Sequence, residues 1–199
     1  VSSVLIGPAF RLACLLRERE RGPNRTHGPR VTSANRDHQH RVAAPDLHDE
    51  RRRAFGRALE IGPAATVQQV IDSGLRGRGG AAFATGVKWQ TVATQQAAPK
   101  FIACNADEGD SGTYSDRMLM EGDPFGLIEG MTIAGVAVGA SQGYVYLRVE
   151  YPHACATLHA AIVAARTAGY LGSDVCGSGR GFDIELRLGA GAYIRREET

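Results

Sequence analysis

Hydrophobic and polar positions follow two regimes along the chain. Residues 1–53 show little periodicity and mix Arg, His, Pro, Asn and Asp, which predicts a disordered leader. From Ala54 onward apolar positions recur at regular spacing. Val67, Val70 and Ile71 share one face of a short helix over 65–73, with Gly74 as its stop. Residues 87–96 follow as a helix. Phe101-Ile102-Ala103-Cys104 is a short apolar strand, and 115–121 gives one or two helical turns. Asp123-Pro124 begins a helix, with Asp as N-cap and Pro in the first turn, and the helix runs to about Gly139. Residues 143–150 alternate as a strand, 153–167 form a helix ending at Gly169, and 182–188 form a further strand.

Strands alternating with helices predict an α/β fold with a Rossmann-like, mostly parallel sheet and flanking helices. The domain boundaries expected are 1–53 for the leader and 54–199 for the α/β domain. Ligands of such sheets bind beyond the carboxyl ends of the strands. Asn105, Asp107, Glu108 and Asp110 follow the first of these strands, Glu150 and Tyr151 the second, and residues 189–198 the third.

Charge adds one asymmetry to this picture. The net charge is +2, yet residues 1–53 hold eleven Arg, no Lys and six acids. Lys88 and Lys100 are the only lysines, and the bias to Arg, Ala and Gly fits a GC-rich bacterial genome. The Arg-rich leader lacks interleaved aromatics, and one Gly-Arg-Gly-Gly is weak support for RNA binding, so no nucleic-acid partner is expected. Cys14, Cys104, Cys155 and Cys176 form no CxxC and lie 90, 51 and 21 residues apart, which is not metal-ligand spacing. Free thiols in a reducing, cytoplasmic compartment are the expectation. No apolar run reaches the roughly 20 residues of a membrane span.

Residues 74–89 carry the first chemical signal: five glycines, Lys88, Phe83 and Trp89. Glycines let a backbone approach a flat or phosphorylated ligand closely, and the lysine supplies a cation. Residues 104–113, Cys-Asn-Ala-Asp-Glu-Gly-Asp-Ser-Gly-Thr, supply carboxylates and an amide for a polar ring edge. The two blocks together suggest a flavin nucleotide pocket. The acids over 107–116 do not match an EF-hand. His153 and His159, six apart, do not share a helix face as a metal pair would. Cys104, Trp89 and Tyr146 read as core residues, and Asp116 as a helix N-cap with Arg117 as a surface partner. No acid–base catalyst is expected.

Three motifs in order carry a resemblance. They are Gly77-Arg-Gly-Gly-Ala-Ala-Phe-Ala-Thr-Gly-Val-Lys-Trp89, Cys104-Asn-Ala-Asp-Glu-Gly109 and Gly189-Ala-Gly-Ala-Tyr193. The chain resembles, over roughly 54–199, the NADH-binding, FMN-carrying flavoprotein subunits of complex I, NAD-reducing hydrogenases and NAD-dependent formate dehydrogenases. The stretch Asp107–Phe125 looks most like the formate dehydrogenase β subunit. The resemblance implies that Gly77, Gly79, Gly80, Lys88, Asn105, Asp107, Tyr193, Glu197 and Glu198 serve FMN. It implies that Phe83, Glu108 and Asp110 border NAD. Hydride would pass between NAD(H) and FMN, and electrons would leave to iron–sulfur clusters on other subunits of a dehydrogenase complex, in the bacterial cytoplasm or on the cytoplasmic face of a membrane.

The chain departs from the family's pattern at Arg195-Arg196, which stand where the family has Cys-Gly. An arginine there replaces a glycine that normally admits the flavin. The family also continues into a ubiquitin-like domain and a helical domain with a cysteine-bound [4Fe–4S] cluster. The expectation is therefore an N-terminal fragment, and the rival expectation a folded remnant unable to hold FMN.

Overall fold

A computed structural model describes residues 2–6, 50–77, 82–109 and 112–190, with 2–6 and 50–53 described by their backbone alone. Four parallel strands form one sheet in the order β1-β2-β3-β4: β1 Ser2–Ile6, β2 Lys100–Ala106, β3 Gln142–Leu147 and β4 Asp183–Leu188. Ile102 pairs with Gly143, and Val145 with Leu186. The helices are α1 Glu50–Asp72, α2 Thr85–Thr94, α3 Ser115–Gly122, α4 Pro124–Val138 and α5 Pro152–Thr167.

The alternation expected between strands and helices is present, and with it the α/β class. Two departures mark where local pattern is a poor guide. β1 lies inside the stretch expected to be a disordered leader and pairs with β2 from Ser2↔Lys100 to Ile6↔Cys104. Five extended residues gain a full ladder there from a neighbour almost a hundred positions away, which composition does not reveal. The remainder of the leader, 7–49, lies outside the described residues.

The second departure is α1, which begins far ahead of the helix expected over 65–73. Ala54, Phe55 and Ala58 are buried on it. Gly62, at φ 80°, and Pro63 break its middle. Proline has no N–H to give to the preceding turn. The Thr66 hydroxyl spans the break, sharing its proton between Gly62 O at 2.8 Å and Ala58 O at 3.3 Å.

α4 is the centre of the core. Fourteen of its fifteen residues are buried, because it lies between the sheet and α1 and touches α5 as well. Its Asp123 cap accepts from Gly126 N at 3.1 Å, and Gly139 closes it in the left-handed region at φ 77°. Along β2 and β3 the buried positions alternate: Ile102, Cys104 and Ala106, then Gly143, Val145 and Leu147. That period of two places them on the helix-covered face. Phe101, Ala103, Tyr144 and Tyr146 belong to the other face and are half-buried, while Asn105 on the same face is exposed.

Lys100 fixes the direction of two helices relative to β2. Its Nζ donates to Ala93 O near the end of α2 and to Val138 O at the end of α4, each at 3.1 Å. Both carboxyl-terminal helix ends therefore sit at the amino edge of the sheet. α2 and α4 run back along the strands, and their starts lie toward the carboxyl edge.

Candidate functional site

The carboxyl edge gathers the chemistry. The segment before α2 is a loop clasped at its base: Thr85 N donates to Leu75 O at 2.9 Å, and Gly77 N donates to Phe83 O at 2.8 Å. Arg76 Nη1 adds a bond to Ala82 O at 3.2 Å. Ala82 has φ 44°, a left-handed conformation uncommon for a residue with a Cβ. Gly79 and Gly80 lie outside the described residues. Gly77 has room around it, since a Cβ there would meet nothing nearer than Phe83 O at 3.7 Å. A Cβ at 77 would make ordinary van der Waals contact only, so packing among the described residues does not itself require glycine there.

α2 starts at this loop. No side chain caps it at Ala84, and no acid occupies its first turn. An uncapped helix start is favourable to an anion. Lys88, half-buried, stands at this end with its Nζ 5.4 Å from the centre of the half-exposed Phe83 ring. Trp89, the next residue, is 1 % exposed and belongs to the core as its sequence context suggests. Gly86 is required on the same turn: a Cβ would lie 2.6 Å from Ile71 N, Cα and Cγ1, so only glycine lets α2 rest this closely on α1.

Asn105 and Asp107 end β2 and begin the acidic loop. Asp107 N donates to Asn105 Oδ1 at 3.0 Å, a local turn that orients both. Glu108, next along, faces inward and is buried. Its Oε1 accepts from Ser115 Oγ at 3.1 Å and Asp116 N at 3.0 Å, and its Oε2 accepts from Arg117 N at 3.2 Å and Tyr151 OH at 3.3 Å. Those amides are orphan donors at the start of α3, so Glu108 caps the helix. The cap expected of Asp116 is thus supplied by Glu108, and Arg117 Nε pairs instead with Glu121 at 2.9 Å. Asp110 lies outside the described residues.

Behind the loop, burial first and the Asp116 carboxylate second push the Cys104 thiol up to about 12. Burial first and the Glu108 carboxylate second raise Asp116 to about 6. The protonated Cys104 is a small core group, as its strand position suggests, and no nucleophile. From the other strands, Gly189 N donates to Leu147 O at 2.7 Å, which continues the β3–β4 ladder one step past β4. Tyr193, Glu197, Glu198 and the Arg195-Arg196 pair lie outside the described residues.

Of the site residues expected, the structure brings Gly77, Phe83 and Lys88 to one end of α2, and Asn105 and Asp107 to the end of β2, on the same edge of the sheet. It turns Glu108 away into α3. The sequence places Tyr151 at this edge but assigns it no partner, and it assigns nothing to Arg148; both follow the end of β3 and hold Glu108. No local pattern could have disclosed these contacts, because their partner is 40 and more residues away. A cavity of about 430 Å³ lined by Phe55, Leu59, Tyr170, Asp174 and Cys176 lies by α1 and the loop entering β4, and contains none of the site residues. Among the described residues no group of His, Cys, Asp and Glu could hold a metal ion, and no helix is long and apolar enough to cross a membrane.

The family model of the Nuo51 FMN-binding domain matches residues 70–199, the stretch containing the expected site residues. The chain belongs to the Nuo51 FMN-binding domain family. Among the relatives of this family member, the NADP-reducing hydrogenase protein HndC of Solidesulfovibrio fructosivorans is 50 % identical over 145 residues, covering 73 % of this chain and 29 % of the relative. An NADH-quinone oxidoreductase component of Rhizobium meliloti is 49 % identical over 148 residues, covering 74 % and 35 %. The NADH-quinone oxidoreductase component of Escherichia coli is 46 % identical over 140 residues, covering 70 % and 32 %. The chain thus spans about a third of the length of these relatives. A crystal structure of NAD+-reducing [NiFe]-hydrogenase in the H2-reduced state matches 70 % of this chain and 23 % of its own, with a TM-score of 0.59 and 38 % identity.

Proposed function

We propose that this domain binds FMN at the carboxyl edge of its sheet and exchanges reducing equivalents with NAD(H), as one module of a multi-subunit oxidoreductase. The observation that carries the reading is the placement of Lys88, Gly77 and the uncapped start of α2 on the same edge as Asn105 and Asp107, in a member of an FMN-binding family. The residues present fit the cofactor. A phosphate finds a cation and a helix start at Lys88, a flat ring finds a backbone without a Cβ at Gly77, and polar ring or ribityl atoms find the amide of Asn105 and the carboxylate of Asp107.

FMN, when bound, accepts a hydride from NADH and releases electrons singly. The task of the chain is orientation, since hydride transfer needs near-contact geometry. Gly79, Gly80, Tyr193, Glu197 and Glu198 are assigned to the FMN side of the pocket, and Phe83 and Asp110 to the NAD side. Glu108 is assigned an indirect part through α3.

The names of the relatives support a flavoprotein of the complex I or NAD-reducing hydrogenase type. The stretch 107–125 supports a formate dehydrogenase β-like module, and co-purification with a formate-oxidising partner, as against a quinone-reducing or hydrogen-oxidising one, separates the two. In each case the partners are iron–sulfur and catalytic subunits.

Titrating FMN into the full chain and following flavin fluorescence tests the binding. Saturable quenching is expected, weakened about tenfold or more in Lys88→Ala through loss of a charge-assisted contact. A wild-type chain that unfolds cooperatively yet quenches no flavin overturns the proposal and establishes a folded remnant.

A further inference from the structure

Tyr151 lies where the acidic loop, α3 and the end of β3 meet. It is 6 % exposed. The guanidinium carbons of Arg148 and Arg117 lie 5.1 Å and 5.5 Å from its ring centre. Its hydroxyl donates to Glu108 Oε2 at 3.3 Å. Arg148 holds the same residue by its main chain, donating from Nη1 to Glu108 O at 2.6 Å. The other edge of the Arg148 fork is fixed on Glu150, with Nε at 3.2 Å and Nη2 at 3.1 Å. Two residues just past β3 therefore grip both the carbonyl and the carboxylate of a residue just past β2. Burial and the neighbouring Glu108 carboxylate raise the Tyr151 phenol, which keeps it a proton donor.

We propose that Arg148 and Tyr151 are positioning residues for the cofactor edge: by clamping Glu108 across the gap between β2 and β3, they fix the direction in which Asn105 and Asp107 present their side chains. The inference rests on the FMN reading above. Asp107 is peptide-bonded to Glu108, and Asn105 is locked to Asp107 by the 3.0 Å turn bond, so a rotation of Glu108 carries both. Groups already held in their bound geometry lose less freedom when a ligand arrives. A guanidinium serves this purpose better than an ammonium, because its rigid fork reaches a carbonyl and a carboxylate together while its face lies on an aromatic ring.

The test uses the full chain with Tyr151→Phe, Arg148→Ala and Arg148→Lys. Amide hydrogen exchange over 106–117 is read without flavin, and FMN affinity by fluorescence quenching. Tyr151→Phe and Arg148→Ala are expected to speed exchange in that segment and weaken FMN about tenfold each, with α4 still protected. Arg148→Lys is expected between Arg148→Ala and wild type, since an ammonium can reach one acceptor but not the pair. Should Arg148→Ala lose protection in α4 as well, Tyr151→Phe, which removes one oxygen atom, decides. Unchanged exchange, or wild-type FMN affinity in Tyr151→Phe, overturns the positioning role alone. A wild-type chain that takes up no FMN overturns the functional reading and this role with it.

Discussion

Asp116 is a carboxyl whose ionisation is opposed by burial first and by the Glu108 carboxylate second. Cys104 lies behind it in the core, and the Glu108 carboxylate accepts from its own backbone N–H at 3.0 Å. Its ordinary value of 3.8 rises to about 6. A carboxyl raised on folding binds its proton more tightly in the folded chain than in the unfolded one. Its neutral form is therefore the stable one, and stability falls as pH rises from the unfolded value to about 6. Asp116→Asn mimics the neutral form. Its melting temperature should match wild type at about pH 4 and exceed it at about pH 7.5. An equal offset at both values would show that charge is not what Asp116 costs the fold. At this scale the sequence was legible for Lys88, Asn105 and Asp107, which are placed by their own element ends. It was not legible for Glu108, whose orientation depends on Tyr151 and on amides up to nine positions ahead.

Elements repeat the lesson in a different form. Asp123-Pro124 and Gly139 mark the two ends of α4 by local chemistry, and the structure honours both. The strands β2, β3 and β4 were legible from alternation and flanking turns. The front half of α1 was not, because Gly56, Gly62 and Pro63 break helical propensity there. The burial of Phe55 and Ala58 outweighs that penalty, and burial is a tertiary quantity. The contact between α1 and α2 offers a sharp test. Gly86→Ala gains up to about 1 kcal/mol of helix propensity. The added Cβ, however, falls 2.6 Å from main-chain atoms of Ile71, which cannot turn aside as a flexible side-chain tip would. Overpacking of this kind typically costs about 1–3 kcal/mol, so a net loss is expected in urea unfolding. A variant as stable as wild type would mean that α1 and α2 separate freely.

At the scale of the whole molecule, the sheet begins with the first residues of the chain. β1 covers the outer edge of β2 over five paired positions. Removing residues 1–6 should lower the unfolding midpoint and leave β2 with an open row of N–H and C=O groups, which invites pairing between molecules. Size-exclusion chromatography of the shortened chain should show concentration-dependent association. A monomer of unchanged stability would place the true edge at β2. The parallel order was legible from the alternation of elements. The identity of the first strand was not, since a five-residue pairing has no signature beyond its partner.

Lys100 makes the two rims of the sheet electrically unequal. At the amino rim its single ammonium satisfies carbonyls at the tails of α2 and α4, where the peptide dipoles leave negative charge. Those two helix tails are offset from within the molecule. At the opposite rim the head of α2 has no carboxylate of its own in its first turn, and Lys88 adds to the positive sign there. Part of the attraction for a dianionic visitor is thus built into how the helices are anchored some distance from where it would land.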